Sequence, residues 1–67
     1  MNRVKELRER RGMSQAELAV KARTSPTMLV MIERYGHRPG PDLRERIARA
    51  LGVTPEEAWP EGRDGQE

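Results

Sequence analysis

Apolar residues recur along this chain in short bursts at helical spacing, and glycine or proline closes each burst. Val4 and Leu7, with Arg11 a turn further on, fall on one stripe, while Arg3, Glu6, Glu9 and Arg10 fill the remaining circumference. That pattern predicts an amphipathic first helix over residues 2–11. Gly12 ends it, since a glycine past the last periodic residue takes the left-handed conformation at little cost, and Arg10 and Arg11 suit the negative helix end. Met13 then turns inward. Ser14-Gln15-Ala16-Glu17 has the form of a capping box, in which the Ser14 hydroxyl accepts from the N–H of Glu17 and the Glu17 carboxylate accepts from the N–H of Ser14. A second helix starts there, with Leu18, Ala19 and Ala22 spaced to bury and small Ala19 permitting close approach of a crossing helix.

This second helix ends near Arg23. Thr24-Ser25-Pro26 restarts the chain, with Ser25 as N-cap and Pro26 at the first helical position, where its missing N–H costs nothing. The third helix runs to about Arg34 and turns Leu29 and Ile32 toward the core. Two short helices joined by a three- or four-residue turn make a helix-turn-helix unit, whose turn usually contains glycine. Here Arg23 or Thr24 holds that place, so a non-glycine residue is expected in an unusual backbone conformation. Residues 35–41 contain two Pro and two Gly and read as a loop.

Asp42 opens a fourth helix with Leu43, Ile47, Ala50 and Leu51 as its buried stripe, and Gly52 caps it. Thr54-Pro55-Glu56-Glu57 repeats the start signal, opening a fifth helix that Pro60 cuts to little more than a turn. The expected architecture is all-α: a compact five-helix bundle containing a helix-turn-helix. One domain spans 1–60, followed by a flexible polar tail at 61–67.

Sixty-seven residues leave room for a single core. Cysteine is absent and His37 is the only histidine, so neither a disulfide framework nor a zinc site is expected, and no cofactor is called for. Apolar runs fall well short of the roughly 18 residues a spanning helix needs, and the chain opens on a charged stretch, which points to a cytoplasmic protein without membrane attachment. Charge is uneven. Residues 1–52 carry twelve Lys or Arg against six Asp or Glu, while 53–67 carry one Arg against five acids. A basic body of this kind suits a polyanion, because phosphate neutralisation supplies most sequence-independent affinity for nucleic acid. Eleven of the thirteen cations are Arg, which favours bidentate phosphate contact but also follows from GC-rich coding or a thermophilic host. Glu56 and Glu57 are helix-start acids, and with no nucleophile or metal cluster beside them an enzyme is not expected.

The string Leu7-Arg8-Glu9-Arg10-Arg11-Gly12-Met13-Ser14-Gln15-Ala16-Glu17-Leu18-Ala19 resembles the opening of the Cro and lambda-repressor-like helix-turn-helix family, also called the xenobiotic-response-element family. The resemblance continues in order and spacing through Ser25 and Leu29, Ile32-Glu33-Arg34, Arg38-Pro39 and Ile47-Ala48-Arg49-Ala50-Leu51-Gly52-Val53, covering about residues 2–59. It implies a transcriptional regulator, a repressor of phage or mobile-element type, binding duplex DNA as a two-fold homodimer on pseudo-palindromic operators with the third helix in the major groove. Base-reading residues carried over from the family are Pro26, Thr27 and Met31, with Val30 and Arg34 beside them. Backbone contacts fall to Ser14, Gln15, Thr24, Ser25, Tyr35, His37 and Arg38.

Each assignment has a plainer rival. Gln15 either meets a phosphate at the N-terminus of the second helix or is simply solvated. Ser14 is a cap first, Tyr35 a phosphate donor or a ring over the helix end, and His37 a contact or an exposed loop residue. Glu33 is expected to pair with Arg10 or Arg11. Trp59 either closes the core or contacts a second copy near the C-terminal end. The family's readers usually carry Gln, Asn, Arg or Ser where this chain has Pro26, Thr27, Val30 and Met31, so direct readout is expected to be modest or replaced by DNA shape. The same apolar face, with Met28, Val30 and Met31, also suits a protein partner, as in an adaptor or an antitoxin.

Overall fold

The computed structural model describes residues 2–60, so the tail expected at 61–67 lies outside the described residues. Among the described residues every regular element is a helix: α1 (Val4–Arg10), α2 (Gln15–Ala22), α3 (Pro26–Tyr35), α4 (Pro41–Leu51) and α5 (Pro55–Ala58). None is long and apolar enough to cross a membrane.

The starts of these helices follow from their caps. Ser14 Oγ accepts from the Glu17 N–H at 3.0 Å while Glu17 Oε1 accepts from the Ser14 N–H at 2.8 Å, closing the box that the sequence spells. Thr54 and Glu57 repeat it for α5. Ser25 Oγ accepts from the Met28 N–H at 3.1 Å, with Pro26 at the first position of α3. Boundaries shift by a residue or two from expectation: α1 spans Val4–Arg10 and not 2–11, α3 extends through Tyr35, and α4 begins at Pro41 with Gly40 as N-cap. Proline's fixed φ is already helical at a first turn, so Pro41 belongs to the helix and not to the loop.

Helices α1 to α4 close alike. A residue with positive φ follows the helix, and the next N–H returns to a carbonyl five or six residues back: Met13 to Arg8, Thr24 to Ala19, His37 to Met31 and Val53 to Ala48. Three of these left-handed positions are glycine. The fourth is Arg23, at φ 58° and ψ 50°, in the turn between α2 and α3. A side chain there costs roughly 1–2 kcal/mol, part of which glycine's extra unfolded-state freedom would offset. Arg23→Gly is therefore expected to raise stability by about 0.5–1 kcal/mol, seen as a higher urea midpoint with unchanged m-value. A lower midpoint would show that the Arg23 side chain makes a compensating contact.

The core joins Val4 and Leu7 from α1, Leu18 and Ala22 from α2, Leu29 and Ile32 from α3, and Ile47 and Leu51 from α4, with Ala58 and Trp59 closing one end. Burying each large aliphatic side chain contributes about 1.5–3 kcal/mol. Helix α2 packs on both α3 and α4, and α5 rests on α4. The chain start ties the ends together. Arg3 N–H donates to Ala58 O at 2.8 Å, and Asn2 Nδ2 donates to Ile32 O at 3.0 Å.

On α1 the third member of the inward stripe is Arg8, and the expected Arg11 is exposed. On α4 the buried row contains Ala48 and Arg44 besides Ile47 and Leu51, leaving Leu43 and Ala50 half-buried. Arg44 is accommodated because its guanidinium donates to Pro39 O, which also fixes the end of the α3–α4 loop. Trp59 is 4% exposed and belongs to the core, although among the described residues its indole N–H finds no acceptor.

Candidate nucleic-acid interface

Helix α3 divides along its length. Leu29 and Ile32 are buried and Met28 packs half-buried against them, so Met28 lies outside the outward apolar face on which the sequence placed it. Thr27, Met31 and Arg34 recur at four- and three-residue steps and share the outward stripe, with Pro26 exposed at its start and Val30 half-buried along its edge. Met31 is 42% exposed and Tyr35 69%, high values for large apolar or aromatic side chains on so small a molecule. The structure thus brings the five expected base-reading residues to one face of one helix.

What holds that face in place is an ion pair. Arg8 Nε and Nη2 donate to the two carboxylate oxygens of Glu33 at 2.8 and 3.0 Å, and Arg8 Nη1 donates to Met13 O at 2.8 Å. Gln15 Nε2 adds a 3.0 Å hydrogen bond to Glu33 Oε1. One carboxylate on α3 therefore holds α1 and the first residue of α2, and Arg8 in turn holds the α1–α2 turn. Bidentate geometry makes this the strong kind of pair. The hydrogen bonds that Arg8 donates to Glu33 raise its pKa above the ordinary value, outweighing the opposing effect of burial.

Glu33 thus pairs with Arg8 and not with the expected Arg10 or Arg11. Arg10 points outward to Glu6, at 3.0 Å, and the Arg11 guanidinium covers Gly52. Arg8 lies one turn after Val4, so its side chain projects from the buried stripe, which is the signal that reading Arg11 into that stripe obscured.

Backbone candidates occupy three places. Ser14 and Gln15 stand at the N-terminus of α2, where unpaired N–H groups and the positive end of the dipole favour an anion. Gln15 is half-buried, and its amide makes the internal bond to Glu33. Thr24 and Ser25 sit in the turn before α3, Thr24 half-buried and Ser25 exposed as a cap. His37 is exposed and Arg38 half-buried in the loop after α3, while Tyr35 ends the helix itself. Lys5, not singled out from the sequence, lines a cleft with Arg8, Gln15, Val30, Glu33 and Arg34. It puts a second exposed cation beside Arg34, where α1 borders the outward edge of α3. Among the described residues no group of three or more His, Cys, Asp or Glu is placed to hold a metal ion.

Residues 4–57 match the family described as helix-turn-helix, from the first residue of α1 to the third of α5. The chain belongs to this Cro/C1-type helix-turn-helix family. No curated protein matches it. Members of the family are DNA-binding regulators of transcription in general, and the outward stripe of α3 stands on the second helix of the motif. In helix-turn-helix proteins that helix enters the major groove with its N-terminal residues toward the base edges.

Proposed function

We propose that this protein is a sequence-specific repressor that binds duplex DNA with α3 in the major groove. The observation that carries the reading is the outward stripe of Thr27, Met31 and Arg34, exposed on a helix whose orientation Arg8, Glu33 and Gln15 fix from behind. Pro26, Thr27, Val30, Met31 and Arg34 meet the base edges. Ser14, Gln15, Thr24, Ser25, Tyr35, His37 and Arg38 meet phosphates and set the register. The mechanism is occupancy: a bound domain blocks access to a promoter, and no cofactor enters.

Two copies on a two-fold operator would place their half-sites about one helical turn apart. Their contact falls at the C-terminal end. The Trp59 indole is itself in the core, so the surface offered to a second copy is the exposed region around it. Such a repressor works in the cytoplasm of a prokaryotic cell, of phage or mobile-element origin. Selection from random duplex DNA, followed by titration of the winners at two salt concentrations, tests the reading. A two-fold-symmetric consensus is expected, with log affinity falling against log salt by about 0.9 per phosphate neutralised.

A second reading is favoured by the exposure of Met31 and Tyr35: the same face docks a partner protein, as in an adaptor or antitoxin. An apolar protein interface responds little to salt, so absence of enrichment together with a shallow salt slope selects it.

A further inference from the structure

The side chains that α3 turns outward carry an unusual chemistry for meeting base edges. Pro26 has a ring, Thr27 a methyl beside its hydroxyl, Val30 and Met31 are apolar, and Arg34 alone is charged. No amide is among them. Major-groove edges are mostly donors and acceptors, and apolar side chains set against these would strip water from them without replacing its hydrogen bonds. One apolar group is available there, the C5-methyl of thymine. Cytosine methylated at C5 presents the same group at the same place.

Charge around the strip argues that its occupant is DNA and not an apolar protein groove. Exposed Lys5 borders it beside Arg34 on the α1 side, and His37 and Arg38 follow it in the loop. An apolar strip framed by basic residues is complementary to methyl groups lying between two phosphate backbones. The lack of amides and the exposure of Met31 thus find a common explanation. Resting on the DNA-binding reading above, we infer that the third helix selects sites by the C5-methyl groups of pyrimidines, which Met31, Val30 and the Thr27 methyl cover in the groove.

Removing single methyl groups from the DNA tests this. A duplex selected by the protein is remade with deoxyuridine in place of thymine, one position at a time, which deletes the methyl and leaves every hydrogen-bonding group intact. Affinity is expected to fall about fourfold at each contacted position, the effect of one buried carbon, with the salt slope unchanged. At the same positions a 5-methylcytosine·guanine pair is expected to bind about fourfold tighter than a cytosine·guanine pair, and whether the thymine·adenine or the 5-methylcytosine·guanine duplex binds tighter at a position identifies the source of the methyl there. Met31→Ala should shrink the thymine-to-uracil ratio toward one at a single position and leave the others. If every uracil duplex binds as tightly as its thymine parent while a consensus site is still preferred, methyl recognition is wrong and DNA binding stands. If no duplex is bound in a salt-dependent way, both fall.

Discussion

Glu33→Ala is expected to lower the free energy of unfolding by about 3–5 kcal/mol, because it strips the Arg8 guanidinium of its bidentate carboxylate and, among the described residues, leaves the Met13 carbonyl as its hydrogen-bond acceptor. The side chains of the pair are 11% and 2% exposed, so solvent does little to screen the charge left behind. At about 0.05–0.15 kcal/mol per residue, a domain of this size has only roughly 3–10 kcal/mol in total, and the variant should be largely unfolded near 37 °C. Loss of one partner is the harsh case. Replacing both, as Arg8→Met with Glu33→Leu, is expected to recover most of the stability, since a well-packed apolar pair needs no compensation for desolvated charge. Urea unfolding followed by circular dichroism checks both. A cost below about 1 kcal/mol for Glu33→Ala would mean that Arg8 swings into water freely and that the pair does not hold α3.

Met31→Glu tests the outward face with the fold left alone. Met31 is 42% exposed and outside the core cluster, so the substitution should change stability by no more than about 0.5 kcal/mol. On DNA the new carboxylate would stand in the groove between phosphates, where like-charge juxtaposition costs several kcal/mol. The expected result is a loss of affinity of roughly 100-fold or more at moderate salt with the melting temperature retained. Unchanged affinity in a folded variant would remove Met31, and with it the outward stripe of α3, from the DNA surface.

The fold was legible in the sequence because its punctuation is local. Capping boxes at Ser14 and Thr54, prolines at first helical turns and glycines after α1, α3 and α4 are each decided by a few neighbouring residues. Even the irregular turn could be anticipated, since the glycine missing from it had to be replaced by a strained residue, and Arg23 is that residue. Long-range polar contacts were not legible. Arg8 and Glu33 are twenty-five residues apart, and three arginines on α1 or just beyond it competed for one carboxylate. Only the packing angle of α1 on α3 decides among them. For the same reason Lys5 was overlooked: on α1 it reads as one charge on a solvated face, and its place beside Arg34 exists only once three helices have assembled. The outward residues of α3 were easier, because helical spacing and buried Leu29 and Ile32 leave them no other direction.

The exposed ion pairs illustrate the opposite limit. Arg3 and Glu6 lie 3.1 Å apart, and the hydrogen bond from Arg3, then its charge, holds the Glu6 carboxyl below its ordinary value. Such a depressed carboxyl lends stability at neutral pH that is lost as pH falls through its folded value. Being solvated, this pair is screened by salt and does not position the interface.

The most direct measurement is a map of backbone amide shifts as an unlabelled duplex, selected for binding, is added to isotope-labelled protein. The expected result is that the largest changes fall on Thr27 to Arg34 and at Gln15, with smaller ones at His37 and Arg38. Changes concentrated on the outer face of α2 around exposed Val20, or on α4, with α3 undisturbed, would contradict the placement of α3 in the groove.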